Sequence, residues 1–175
     1  REQEQIIKRR LEKAGYKILK SENPMVDSLL KKYQISGRPD FFIQKDNKSP
    51  ILVEFKSSSP NIFPQIHCMD DWKQYSWGQK YKAQMQIYMF GNEVEKAWMI
   101  LKNKSNGQIK ILEEKLDLEY VETLLQKAEF INRCVELNEL PERKQSERDC
   151  KDCPFNHLCM PPILHEGVEE LDDKE

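Results

Sequence analysis

A chain of 175 residues, 38% of them hydrophobic, is long enough for one domain with a modest core. Its longest strictly apolar run is Ala97-Trp98-Met99-Ile100-Leu101, far short of the roughly 20 residues a membrane-spanning helix needs, so no membrane partner is expected. The net charge of -2 excludes a uniformly basic coat for nucleic acid, but Glu166 to Glu175 carries six acids against Lys174, which leaves the rest mildly basic.

In chain order, Glu2 to Ala14 has a helical period, with Ile7, Leu11 and Ala14 on one stripe and Gly15 as its stop. Asn23-Pro24 starts a second helix that carries Val26, Leu29, Leu30 and Tyr33 up to Ser36-Gly37. Phe41 to Gln44 and Ile51 to Lys56 are strand-like runs, joined by the polar hairpin linker Lys45-Asp46-Asn47-Lys48-Ser49-Pro50. A loop of about 15 residues from Ser57 leads to a helix that begins near Trp72 or Gln79 and ends at Phe90, before Gly91. Lys96 to Asn103 and Gln108 to Lys115 form a second strand pair around Ser105-Asn106-Gly107. Asp117 caps a long helix with the stripe Leu118, Val121, Leu124, Leu125, Ala128, Ile131 and Val135, ended by Pro141. No repeat or low-complexity linker interrupts this order. The expectation is a mixed α/β (α+β) single domain over 1–165, with a cysteine segment at 148–162 and an acidic, disordered tail at 166–175.

Chemistry-bearing residues concentrate in Gly37-Arg38-Pro39-Asp40 and Val53-Glu54-Phe55-Lys56. Strand period 2 puts Glu54 and Lys56 on one face and Val53 and Phe55 on the other. A hairpin centred on Asn47 sets Asp40 opposite Glu54, so two carboxylates and an ammonium converge. Carboxylate oxygens are hard ligands for Mg²⁺ or Mn²⁺, which can polarise a phosphodiester, and Lys56 can orient or deprotonate the attacking water or steady the transition state. Glu-Phe-Lys alone equally describes a strand-surface ion pair, and the facing Asp40 favours the catalytic reading.

Tyr81, Gln84 and Tyr88 share one helical face, as a half-buried packing stripe or as a surface for a nucleotide strand. Cys150, Cys153 and Cys159 are spaced for metal ligation in a reducing compartment, hence the cytoplasm, rather than for disulfides. The run Cys153-Pro with a later thiolate is nearer to iron-sulfur ligation than to a zinc finger, although His157 could complete a zinc site. Cys134 falls on the long helix as a core residue. Lys102 and Lys104 are candidates for a DNA track, or equally for a solvated face.

Together these residues resemble the PD-(D/E)XK nuclease superfamily, and within it the RecB-like branch that includes the CRISPR-associated exonucleases of spacer acquisition and related phage nucleases. The resemblance spans roughly Glu4 to Pro161: Gly37-Arg38-Pro39-Asp40 is similar to the aspartate motif, Glu54-Phe55-Lys56 to the Glu-X-Lys signature, and Gln84-Met-Gln-Ile-Tyr88 to the Gln-X-X-X-Tyr motif of that branch. It implies a restriction-endonuclease-like central mixed sheet flanked by helices, and metal-dependent hydrolysis of DNA. Asp40, Glu54 and the Phe55 carbonyl would then hold Mg²⁺ or Mn²⁺, Lys56 would serve the attacking water, and Gln84 and Tyr88 would support the lysine and, with Tyr81, the strand. Cys150, Cys153 and Cys159 would bind a [4Fe-4S] cluster, with Zn²⁺ as the alternative. No histidine precedes Asp40 where the family supplies a ligand from its first helix, and Glu4 stands in that place as an oxygen substitute. The family's first cluster cysteine is also missing, and since the chain begins at Arg1 it is expected upstream. The implied partners are DNA and other nucleic-acid-processing proteins, with no small-molecule substrate. The alternative is a non-catalytic DNA-binding or scaffold module of a larger complex, or a zinc-bound regulatory domain.

Overall fold

The computed structural model of the chain describes residues 2–19, 27–141 and 153–159. Its first helix, α1 (Glu2–Lys13), has acids in the first turn and Arg10 and Lys13 in the last, the order the helix dipole favours. Ile7 and Leu11 are buried, whereas Ala14, expected on the same stripe, is exposed beyond the helix end, where Gly15 turns the chain at φ +86°. That turn feeds β1 (Lys17–Leu19), a strand absent from the expected elements because its 3 residues are too few to display alternation. Next comes α2 (Asp27–Tyr33), which buries Leu29; the expected start at Asn23-Pro24 lies outside the described residues.

β2 (Phe41–Gln44) and β3 (Ile51–Ser58) pair antiparallel, with Phe41 opposite Val53 and Ile43 opposite Ile51, a register centred on Asn47. Asp46 and Asn47 take positive φ (52° and 54°) and the Lys48 N–H donates to the Lys45 carbonyl, as in a type I′ turn. β3 runs parallel to β4 (Lys96–Asn103), and β4 is antiparallel to β5 (Ile109–Lys115), giving the sheet order β1-β2-β3-β4-β5.

The parallel pair needs a crossover, which residues 59–95 supply through α3 (Ser76–Gly91). The loop expected ahead of that helix is largely ordered into 3₁₀ turns at Phe63–Gln65 and Met69–Gln74. Phe63 in the first turn, Met69 and Trp72 in the second and Ile66 in the extended link between them are buried; Met69 and Trp72, three residues apart, share one face of the second turn. Lys110 of β5 pins the first turn, its Nζ donating to the carbonyls of Phe63 (2.7 Å) and Ile66 (2.8 Å).

In α4 (Leu118–Leu137) the Asp117 carboxylate accepts from the Tyr120 N–H, the expected cap. The expected apolar stripe is buried only in its first half: Val121 is inside, but Ile131 and Val135 are 41% and 73% exposed. Asn138 ends the helix at φ 54°, ahead of Pro141. Of the cysteine segment, the described part ends in a short helix, α5 (Asn156–Cys159); Cys150 and the acidic tail at 166–175 lie outside the described residues.

Strand alternation sends Phe41, Ile43, Val53 and Ile100 toward α1, and Phe42, Leu52, Met99 and Leu101 toward α2, α3 and α4. The result is a mixed α/β architecture in which a five-stranded mixed sheet lies between helices. Gln86, fully buried on α3, joins three elements: its Nε2 donates to Glu114 Oε1 and to the Lys115 carbonyl (both 2.7 Å), and its Oε1 accepts the Asp117 N–H at 2.9 Å.

Candidate active site

Asp40 precedes β2 at the end of the hairpin, and its position continues the β2–β3 register to face Glu54. Its Oδ2 accepts the Phe55 N–H at 2.7 Å, which ties the carboxylate to the neighbouring strand. Glu54 is 3% exposed, and its Oε1 accepts from Lys56 Nζ at 2.6 Å. Its other oxygen, Oε2, is buried with no hydrogen-bond partner. Burial pushes the Glu54 carboxyl above its ordinary range, the Asp40 charge adds to that shift, and the Lys56 ammonium opposes it. A buried carboxylate with a bare oxygen beside a second carboxylate is costly unless a cation shares it.

Lys56 projects to the α3 side, its Nζ 4.8 Å from the centre of the Tyr81 ring. One turn along α3, Gln84 Nε2 donates to Tyr88 Oη at 2.9 Å. Tyr88 is buried against the segment that leads into Asp40, so closely that a Cβ on Gly37 would lie 2.6 Å from its Cε1. The hairpin thus brings Asp40, Glu54 and Lys56 together, and α3 sets Tyr81, Gln84 and Tyr88 over the same side of the sheet.

The other candidates have surroundings of their own. Glu4 is engaged by Lys8, one helical turn on, at 2.6 Å, and Lys8 lies over the Phe41 ring on the α1 side. Among the described residues no three His, Cys, Asp or Glu side chains converge closely enough to hold a metal ion, so Glu4 does not form a three-ligand group with Asp40 and Glu54. Lys102 also sits on the α1 side, donating to Gln3 Oε1, while Lys104 is exposed at the turn after β4. The Phe55 side chain packs in the α1 cluster, leaving only its backbone near Asp40. Cys153 is half-buried and in no disulfide, Cys159 closes α5, and His157 is exposed. Cys134 is buried, as expected, and Cys68 is exposed.

Sequence reasoning missed the frame around Tyr81, whose ring meets Trp72 and Trp77 edge-on with centroids 5.7 Å away in both cases. The spacing of Trp77 and Tyr81 by four residues, one helical turn, was the available signal.

A mixed sheet that gathers two carboxylates and a lysine at one hairpin has the form of a nuclease core. The family model of the PD-(D/E)XK nuclease superfamily matches residues 2–160, and the chain belongs to that superfamily. Members of that superfamily are typically nucleases. Among curated proteins none matches this chain. Among solved structures, SSO0001 is 25% identical over 71% of this chain, with a TM-score of 0.42, and the chain spans 50% of its length. Among the described residues no helix is long and apolar enough to cross a membrane.

Proposed function

We propose that this protein is a RecB-like, metal-dependent deoxyribonuclease, an exonuclease acting on single strands or duplex ends. The observation that carries the reading is the buried, unpartnered Glu54 Oε2 beside Asp40. This donor set of hard oxygens fits Mg²⁺ or Mn²⁺, with Asp40, Glu54 and the Phe55 carbonyl as its protein ligands and water for the rest. The ion, when bound, would polarise the phosphodiester and favour ionisation of water.

The chain's own residues have separate tasks. Asp40 is fixed by the Phe55 N–H, so its remaining oxygen is oriented without further ordering cost. Lys56, held in place by its ion pair with Glu54, orients the attacking water and offsets the charge that builds as the new P–O bond forms and the bond to the leaving oxygen breaks. Gln84 and Tyr88 position α3 against the Asp40 segment and support the bound strand. The exposed Lys104 contributes to holding that strand. Cys150, Cys153 and Cys159 ligate a [4Fe-4S] cluster, for which the half-buried, unpaired Cys153 thiol is a suitable donor. One zinc per chain without iron or sulfide in metal analysis would assign that segment to zinc instead.

The test incubates wild-type and Lys56→Ala protein, purified without air, with end-labelled single- and double-stranded DNA and Mg²⁺ or Mn²⁺. Cleavage by the wild type alone, stopped by a chelator, is the expected result. Among the described residues no third ligating side chain joins Asp40 and Glu54, which favours a second reading, a non-catalytic DNA-binding or scaffold module. DNA retained but uncut by both proteins would select it.

A further inference from the structure

Beside the Asp40, Glu54 and Lys56 cluster, α3, α4 and the segment leading into Asp40 line an open, solvent-facing cavity of about 540 Å³. Ile35, Ala83, Ile87 and Leu124 give it apolar walls, and the hydrogen-bonded Gln84 and Tyr88 add a polar edge. Tyr81 belongs both to this cavity and to the active site: it lines the cavity, and its ring lies under the Lys56 ammonium. The cavity is therefore one aromatic ring away from the lysine.

That ring is held in place. Trp72 and Trp77 meet it at interplanar angles of 82° and 69°, and Trp72 is only 1% exposed. Gly78 allows the close approach behind them, since a Cβ there would sit 2.3 Å from the Trp72 carbonyl oxygen. A fixed aromatic wall binds a flat partner with little loss of side-chain entropy.

The volume falls within the roughly 300–1,000 Å³ of small-ligand sites. Apolar walls of this kind disfavour a phosphate or sugar, which would lose hydration there, and suit a planar ring with polar edges. A base paired and stacked in a duplex cannot reach such a cavity without leaving the stack.

We propose that the cavity takes an unpaired nucleobase of the nucleotide adjoining the scissile phosphate, and that this makes single-stranded or frayed nucleic acid the substrate. The assignment rests on the nuclease reading above. Lys80, exposed at the cavity rim, meets the next phosphate along the strand.

Binding of Lys56→Ala protein to a fluorescent single-stranded thymidine 12-mer and to an abasic strand of the same length, read by fluorescence anisotropy, tests the proposal without requiring cleavage. The intact strand should bind about tenfold more tightly or better, the effect of a stacked base. Adding Ala83→Trp, which fills the cavity, should erase that difference while leaving the phosphate-dependent affinity for the abasic strand; a thermal melt by circular dichroism verifies its fold. Equal affinity for the two strands overturns the proposal, as does an unchanged preference in folded Ala83→Trp protein. If that variant does not fold, Leu124→Trp fills the same space from α4. Absence of cleavage by the wild type would refute the nuclease reading separately, with base-dependent binding still deciding what the cavity takes.

Discussion

Replacing Gly37 with Ala asks whether the segment that carries Asp40 is seated by direct contact with α3. A Cβ there would lie 2.6 Å from Tyr88 Cε1, 2.7 Å from Oη and 3.0 Å from Cζ, well inside the roughly 3.5–4.0 Å of an ordinary carbon contact. Tyr88 is 7% exposed and accepts the Gln84 hydrogen bond at 2.9 Å, so its ring cannot swing aside without losing that bond. Overpacking of this kind costs about 1–3 kcal/mol, and the lost hydrogen bond adds about 1 kcal/mol. In a Tyr88→Ala background the same methyl group meets open space, and its cost should fall below about 0.5 kcal/mol. The effect of Ala on the unfolded chain is common to both backgrounds and cancels in the cycle. Urea unfolding of the four proteins measures the coupling, expected at about 1.5–4 kcal/mol. Equal destabilisation in both backgrounds would refute the contact and, with it, the account of how α3 positions Asp40.

Glu54 makes a prediction with a definite sign. Its carboxyl is raised above the ordinary 4.5 by burial first and then by Asp40, so the folded state keeps a proton that the unfolded chain releases. Its contribution to stability is present below the unfolded value and is lost as pH rises through the folded one. Glu54→Gln should therefore flatten the fall of metal-free stability above pH 4.5, as urea midpoints across a pH series would show; the same slope in both proteins would count against it. Gln86→Leu should cost about 2–5 kcal/mol, because it leaves the Asp117 N–H and the Glu114 carboxylate without their buried partner. A loss under about 1 kcal/mol would mean that α3 is not tied to β5 through this amide.

The hairpin was legible because its parts agree: alternating apolar residues, a polar linker and turn formers at Asp46-Asn47 fix one register, which sets Asp40 against Glu54. The α4 cap and the β4–β5 turn were readable for the same reason, since a single side chain or Gly107 at φ 74° does the local work. β1 was not legible, because its 3 residues gain their conformation from pairing with β2 rather than from their own pattern. The connection after β3 hides its order because it consists of two short 3₁₀ turns joined by extended residues, too brief to display a helical or strand period. The α4 stripe misled in its second half, where apolar periodicity is present but the sheet no longer lies beneath Ile131 and Val135. Glu4 occupies a plausible sequence position, yet Lys8 lies within its reach and takes the carboxylate.

The parallel β3–β4 pair has a consequence for how the protein can be changed. Asp40, Glu54 and Lys56 belong to one antiparallel hairpin whose closure costs only the entropy of a short loop, whereas Tyr81, Gln84 and Tyr88 arrive on the crossover between parallel strands. Acidic pair and covering helix are therefore separable modules of a continuous chain. The exposed positions of 76–91 can be redrawn to accept other strands, provided Gly78, Tyr81, Gln84, Gln86 and the Tyr88–Gly37 contact are kept, without rebuilding the hairpin that would hold the metal.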